Sequence, residues 1–270
     1  MRILQSEAAA GPSAVALGTF DGVHLGHLSV IEKAGTLARE EGLTSIVYTF
    51  CNHPSAVWGK GQKLLSDPEE KKDRIRRTGC DILVMRTFDA AFAAMPAEEF
   101  VSLLVRFFQP RHLVVGTNYT FGKNRGGNAA LLRDLASRFG YQLHVQPLVE
   151  EDGEAVSSTR IRACLQQGRV EEANRLLGYP YMLQGEIIHG RQIGRTIGFP
   201  TINLKVFPDK QLPRFGVYAA WASFRGEIHP CVLNVGIRPT VEGEIPSVEA
   251  HILGFSGDLY GEDAAPVRTF

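Results

Sequence analysis

The chain has 270 residues, enough for one large or two ordinary domains. Its 44% hydrophobic and 21% charged content is that of a soluble globular protein. Its 29 basic residues balance 29 acidic ones, so no overall field steers it to nucleic acid or an anionic membrane. The four cysteines (Cys51, Cys80, Cys164, Cys231) are scattered without a CxxC. That spacing argues against a zinc site or a disulfide framework and fits a reducing, cytoplasmic setting. Met1 to Gly11 holds one Arg and no long apolar core, so it does not read as a signal peptide. No apolar run approaches the roughly 18 residues of a membrane span.

Along the first half, strand-like apolar runs fall at Val15–Leu17, Ser45–Phe50, Asp81–Met85, His112–Gly116 and Gln142–Val149. Helical periodicity separates them at Leu28–Glu41, Glu69–Thr78, Ala97–Phe108 and Ala129–Phe139. This alternation predicts an α/β domain with a parallel sheet and helices on both faces, whose ligands bind beyond the C-terminal strand ends. After Leu177-Gly178-Tyr179-Pro180 the helical period gives way to short β-forming runs at Tyr181–Ile188, Gly216–Phe224, His229–Val235 and Ser247–Leu253, punctuated by Gly and Pro. That texture predicts a small antiparallel barrel. The domains are accordingly read as 1–180 and 181–270.

The most informative stretch is Gly18-Thr19-Phe20-Asp21-Gly22-Val23-His24-Leu25-Gly26-His27, at a strand-to-helix turn. His24 and His27 share one face of the first helical turn. The helix N-terminus favours a bound phosphate, and Gly22 and Gly26 let a ligand approach the backbone. Two imidazoles there can donate hydrogen bonds to a phosphoryl group gaining charge. Three further segments carry related chemistry. Thr117 to Asn128, with Asn118 and Arg125, is a glycine-rich basic loop after a strand, suited to a phosphate or flavin. Ser157-Ser158-Thr159-Arg160-Ile161-Arg162 opens a helix; capping accounts for Ser157, while Ser158, Thr159 and Arg162 add hydroxyls and charge to an anion site. Thr49-Phe50-Cys51-Asn52-His53-Pro54 ends the second strand.

In the second half, Gly190-Arg191-Gln192-Ile193-Gly194-Arg195-Thr196-Ile197-Gly198-Phe199-Pro200-Thr201-Ile202-Asn203 places Gly190, Gly194 and Gly198 where a loop could lie over phosphates. It is not a Walker A loop, being one residue short, with Arg195 in place of Lys. Thr201 and Asn203 share a face of an extended strand, and their oxygens suit Mg²⁺ bound with ATP. Val248-Glu249-Ala250-His251 follows in strand alternation.

The first stretch resembles the HxGH signature of the nucleotidyltransferases, and in its longer form G-T-F-D-G-V-H-x-G-H, the bacterial FAD synthetase branch. G-R-x-x-G-F-P-T-x-N resembles the riboflavin kinase signature. Five motifs in order, from Gly18 to Phe270, are similar to those of the bifunctional riboflavin kinase and FAD synthetase family. The resemblance implies an HxGH-type α/β domain followed by a riboflavin kinase barrel. It implies two activities: ATP-dependent phosphorylation of riboflavin to FMN, and adenylylation of FMN to FAD. ATP and Mg²⁺ would be the cofactors, with riboflavin, FMN, FAD and ATP as partners and neither nucleic acid nor membrane. His24 and His27 would stabilise the adenylyl-transfer transition state. Gly18, Phe20, Gly22, Ser158, Thr159 and Arg162 would bind ATP, and His53, Asn118 and Arg125 the flavin. In the barrel, Gly190, Gly194, Gly198 and Thr201 would hold phosphates, Thr201 and Asn203 the metal, and Glu249 would be the base for the riboflavin 5′-hydroxyl.

The chain departs from the family pattern at Cys51, where a carboxylate is usual, and at Gly254, where an Asp is usual. It stops where family barrels run on through a further helix, which reads as a shortened C-terminus. Two other readings are a nucleotidyltransferase with another acceptor and a flavin-binding regulatory protein with a degraded transferase site. The oligomeric state is not legible.

Overall fold

The structure is a computed structural model that describes residues 1–59, 61–188, 201–240, 243–255 and 267–269. It divides into two compact units, Met1–Ser158 and Thr159–Phe270. The boundary read near Tyr181 follows the onset of β-rich texture; the compact units divide earlier, so two helices precede the strands of the second unit.

The first unit holds strands β1 (Arg2–Leu4), β2 (Ser13–Leu17), β3 (Thr44–Phe50), β4 (Ile82–Arg86), β5 (Pro110–Gly116) and β8 (Gln142–Gln146). They form one sheet in the order β1-β4-β3-β2-β5-β8, every neighbouring pair parallel. The predicted parallel α/β sheet is thus present, with β1 as an added edge strand. Three residues are too short to carry a period, which is why β1 has no sequence signature. Helices α1 (Leu25–Glu41), α2 (Pro68–Arg76), α3 (Ala90–Ala93), α4 (Ala97–Phe108) and α5 (Ala129–Phe139) connect the strands. Short strands β6 (Thr120–Phe121) and β7 (Gly127–Asn128) pair with each other, as do β9 (Glu150–Glu151) and β10 (Glu154–Ala155).

Strand parity splits the core. Ala14 and Ala16 of β2 pack with Val30, Ile31, Ala34 and Leu37 of α1 and Ile75 of α2. Val15 and Leu17 face the other way, against Leu104 and Phe108 of α4 and Leu132 of α5. Both faces of the sheet are therefore covered, as parallel sheets require. The chain runs from β2 outward to β3 and β4, then returns to the other side of β2 with β5. That reversal is a topological switch point, and the crevice beyond it is where such sheets bind ligands.

The second unit opens with α6 (Ser158–Gln167, its first residue closing the first unit) and α7 (Val170–Leu177). Strands β11 (Met182–Leu183), β12 (Gly185–Ile188), β13 (Thr201–Val206), β14 (Gly216–Phe224), β15 (Glu227–Thr240), β16 (Gly243–Ile252) and β17 (Val267–Thr269) follow. They form an antiparallel sheet in the order β11-β17-β14-β15-β16-β13-β12. The two edge strands, β11 and β12, are separated in the chain by Gln184 alone. The sheet must therefore curl round on itself, giving the small barrel the β-texture predicts. Its core is Leu204, Ala220, Ala222, Cys231, Leu233, Val235, Val248, Ala250 and Ile252, alternate residues of their strands.

Candidate functional site

The loop from Gly18 to His24 leaves β2 at the switch point. Phe20 and Val23 are both buried and both take positive φ, 45° and 38°. A non-glycine residue holds that conformation only where packing over-determines it. Gly18 makes it possible: a Cβ there would lie 2.5 Å from the Phe20 ring. The loop is tied down by its neighbours. Leu65 N donates to Asp21 Oδ1 at 2.9 Å, Gly22 N donates to Ser66 Oγ at 3.1 Å, and Ser158 Oγ donates to the Asp21 carbonyl at 3.0 Å.

Helix α1 begins at Leu25, three residues earlier than the periodicity from Leu28 indicates, because Gly26 and His27 carry no apolar signal. His24 is its N-cap. The His24 ring makes no capping bond; it stacks on the His27 ring at 3.5 Å, with 20° between the planes. Phe20 meets His27 edge-on at 5.4 Å. Gly26 leaves room for the pair, since a Cβ there would come within 3.3 Å of the His24 ring. The structure thus brings together Gly18, Phe20, Gly22, His24, His27 and Ser158 at a helix N-terminus, where partial positive charge favours phosphates.

Cys51 and His53 follow β3, and Asn118 follows β5, so both loops leave the same end of the strands flanking β2. Cys51 Sγ lies 3.4 Å from Thr87 Oγ1, and Asn52 is held by hydrogen bonds to Phe88 N and O at 2.8 and 2.9 Å. His53 caps the 3₁₀ turn Pro54–Trp58: its Nδ1 accepts from Ser55 N at 3.2 Å. Asn118 is exposed in the loop before β6, and Arg125 is exposed at positive φ before β7. Beneath this loop Tyr119 stacks on Phe121 at 5.5 Å, and burial pushes the Tyr119 phenol well above its ordinary pKa. Thr159 and Arg162 occupy the start of α6, and Arg162 is buried.

In the barrel, Gly190, Gly194 and Gly198 lie outside the described residues. Thr201, Asn203 and Glu249 lie within them, and strand register brings them together. Asn203 of β13 is directly opposite Glu249 of β16, and Thr201 is opposite His251. Across the other edge of β16, Glu249 faces Asn234 of β15. Directly opposed residues share a face with Cβ atoms about 4.5–5.5 Å apart. A carboxylate thus stands between two amides, with a hydroxyl and an imidazole in the next row. Their strand neighbours Val248 and Ala250 point into the core, so Glu249 and His251 lie on the other side of β16; Asn203 of the row is itself buried. Gly254 follows at φ 70°; the usual Asp would be strained there.

Sequence reasoning missed Asp21 and Lys71. Lys71 reaches the site's loops from α2: its Nζ donates to the carbonyls of Thr19 and Phe50 at 3.0 and 2.8 Å. Its sequence context, Pro-Glu-Glu-Lys-Lys-Asp-Arg, reads as a solvated helix face.

For metals, oxygen donors at Thr201, Asn203 and Glu249 suit a hard cation. At Cys51 a thiol stands where a carboxylate is usual, and a thiol is a poor ligand for such an ion. Among the described residues there is no group of three or more His, Cys, Asp or Glu arranged to hold a metal, and no helix long and apolar enough to cross a membrane.

Comparison with known proteins matches both halves of the chain. Residues 6–160 match the FAD synthetase family model and residues 177–267 the riboflavin kinase model. The chain is 40% identical over 256 residues to the bifunctional riboflavin kinase/FMN adenylyltransferase of Bacillus subtilis, covering 92% of this chain and 80% of that protein. It is 35% identical over 249 residues to the protein of the same name from Escherichia coli, covering 91% and 79%. A solved chain described as a macrolide-efflux protein from Streptococcus pneumoniae superposes with a TM-score of 0.88 at 30% identity, covering 99% of this chain and 88% of its own. With both halves matched in order, the chain belongs to the bifunctional riboflavin kinase/FMN adenylyltransferase family.

Proposed function

We propose that the chain makes flavin nucleotides in two ATP-dependent steps, one in each unit. The observation that supports this best is the pair of sites in a single chain. One is a stacked imidazole pair at a helix N-terminus; the other is a strand-borne carboxylate between two amides.

In the barrel, Glu249 takes the proton of the riboflavin 5′-hydroxyl as its oxygen attacks the γ-phosphorus of ATP, and ADP leaves with FMN formed. Asn203 and Asn234 are the cross-strand neighbours of Glu249 on either side. Thr201 and Asn203 would hold Mg²⁺, which would neutralise phosphate charge when bound. In the α/β unit, a phosphate oxygen of FMN attacks the α-phosphorus of ATP and pyrophosphate leaves, giving FAD. His24 and His27 donate hydrogen bonds to the oxygens that gain charge. Ser158 adds a hydroxyl for the phosphates, and His53, Asn118 and Arg125 bind the flavin. Neither step needs a covalent enzyme intermediate, because positioning and charge stabilisation suffice. ATP use and buried free cysteines accord with action in the cytoplasm.

Incubating the protein with riboflavin, ATP and Mg²⁺ and resolving the flavins by chromatography tests the proposal. FMN should appear first and FAD after it. Riboflavin that binds but is not converted would support the regulatory reading, and FMN without FAD would restrict the activity to the barrel.

A further inference from the structure

Lys71 and Lys72 are neighbours in α2 with opposite fates. Lys72 is partly exposed and paired with Glu69 at 2.6 Å. Lys71 is 2% exposed, and both its described hydrogen bonds go to backbone carbonyls of other segments. Thr19 belongs to the loop that leads into His24, the N-cap of α1, with His27 in the first turn of that helix. Phe50 ends the strand that leads into Cys51 and His53. One ammonium therefore bridges the nucleotide-side loop and the flavin-side loop. The grip is mutual: α2 and its approach reach the first loop through Lys71 and Ser66, and the first loop reaches back through Asp21 to Leu65 N.

This arrangement is costly for stability. An ammonium is removed from water, and its long side chain is frozen. It also lies near the N-terminal end of α2, where the helix dipole disfavours a cation. Burial, the largest influence, pushes the Lys71 pKa below its ordinary value, while Asp21 and Cys51 act to raise it. An apolar residue of similar length would fill the same space without these costs; the Thr19 carbonyl would keep Thr49 Oγ1 as a donor, and only the Phe50 carbonyl would lose its partner. A charge kept in the core at such cost, beside a reactive loop, points to function.

We propose that Lys71 is a positioning residue for adenylyl transfer, its ammonium holding the His24/His27 loop in fixed register with the Cys51/His53 loop. This rests on the FMN adenylyltransferase reading of the first unit. It acts on rate rather than affinity, because small displacements of reacting groups cost rate out of proportion to binding.

The test is Lys71→Met in the full chain, which keeps the stem and removes charge and donors. The turnover of FAD formation from FMN and ATP should fall on the order of 10²-fold, with KM for either substrate little changed. The melting temperature should move by only a few degrees, because the relieved burial of the ammonium offsets the orphaned Phe50 carbonyl, and riboflavin phosphorylation should persist. Amide exchange at Gly22 and Val23 should accelerate about tenfold, while Val47 in β3 stays protected. Near-normal turnover with unchanged loop exchange would overturn the proposal. So would a melting temperature that falls together with turnover while β3 loses protection, since that marks a merely structural lysine. If the Met variant does not fold, Lys71→Gln, which retains an N–H donor without charge, is read by the same measurements. Wild-type protein that makes no FAD from FMN would instead sink the activity reading. The exchange comparison would still decide whether Lys71 holds the loop.

Discussion

The two sites of this chain are built on opposite plans. In the α/β unit the reactive groups sit on loops and a helix start beyond strand ends, and the loop that leads into His24 is held by contacts from outside itself: Ser66, Ser158, Leu65 and Lys71. In the barrel the reactive groups sit on strands, and the ladder itself sets their spacing. Loop sites need supporting residues that do no chemistry; strand sites need only correct register. Lesions should therefore differ in kind. Damage to the first site can begin remotely, whereas damage to the second should begin at the row itself or at the pairing that aligns it.

The largest expected effect is in the row. Glu249→Gln keeps shape and hydrogen bonding but loses basicity, and should cut riboflavin phosphorylation by about 10² to 10⁴-fold. ATP affinity should hardly move, and FAD formation from supplied FMN should continue. A near-normal kinase turnover would remove Glu249 from its role. His27→Ala is the converse. It should lower FAD formation by roughly 10² to 10³-fold, the range for losing one preorganised donor. FMN formation should persist; its loss in parallel would show that the units are not independent, and a circular dichroism melt would separate that from unfolding.

Cys51→Asp sharpens the comparison in the other direction. A carboxylate there could accept a hydrogen bond from Thr87 and would add favourable charge near Lys71. FAD formation should rise several-fold with no change in the kinase. An unchanged or lower rate would mean that the thiol is already accommodated.

The smallest effect lies at the far end of the sheet. His144 Nε2 is 3.0 Å from His112 Nδ1, and His112 Nε2 is 2.9 Å from Glu41 Oε1. Burial, then the charges of His112 and Lys33, hold the His144 pKa below its ordinary 6.5, against the pull of Glu41. The unfolded chain thus takes up this proton first as pH falls. The stability linked to the neutral ring is complete above pH 6.5 and declines on acidification toward the folded value. Thermal melts between pH 7.5 and 5.5 should show a small loss that His144→Gln reduces. An identical loss in both proteins would clear His144.

The same contrast decides what could be read from the sequence. The sheet and helices of the first unit follow from alternating periods, and His24 and His27 stand out by their glycine-rich context. What escaped notice there is support: Lys71 looks like an ordinary surface charge, and Asp21 is one letter of a motif with no role of its own, because only the fold shows which segments they meet. In the barrel, alternation already puts Thr201 on the side of Asn203, and Glu249 on the side of His251. That Asn203 meets Glu249, and that Asn234 closes the row, depends on non-local pairing, which local pattern does not encode.

Gly18 carries a consequence for how this chain can drift. Its missing methyl is filled by the Phe20 ring, whose neighbour is the His27 edge, whose neighbour in turn is the His24 face. Three rings abut one after another like parts in a gauge, the first contact edge-to-face and the second stacked, and position 18 is the anvil. Adding a single carbon at the anvil displaces the whole train, so the mildest substitution in the amino-acid alphabet is felt at the imidazoles. A library of variants at this codon should therefore show a bare column for FAD formation and an unremarkable one for FMN formation.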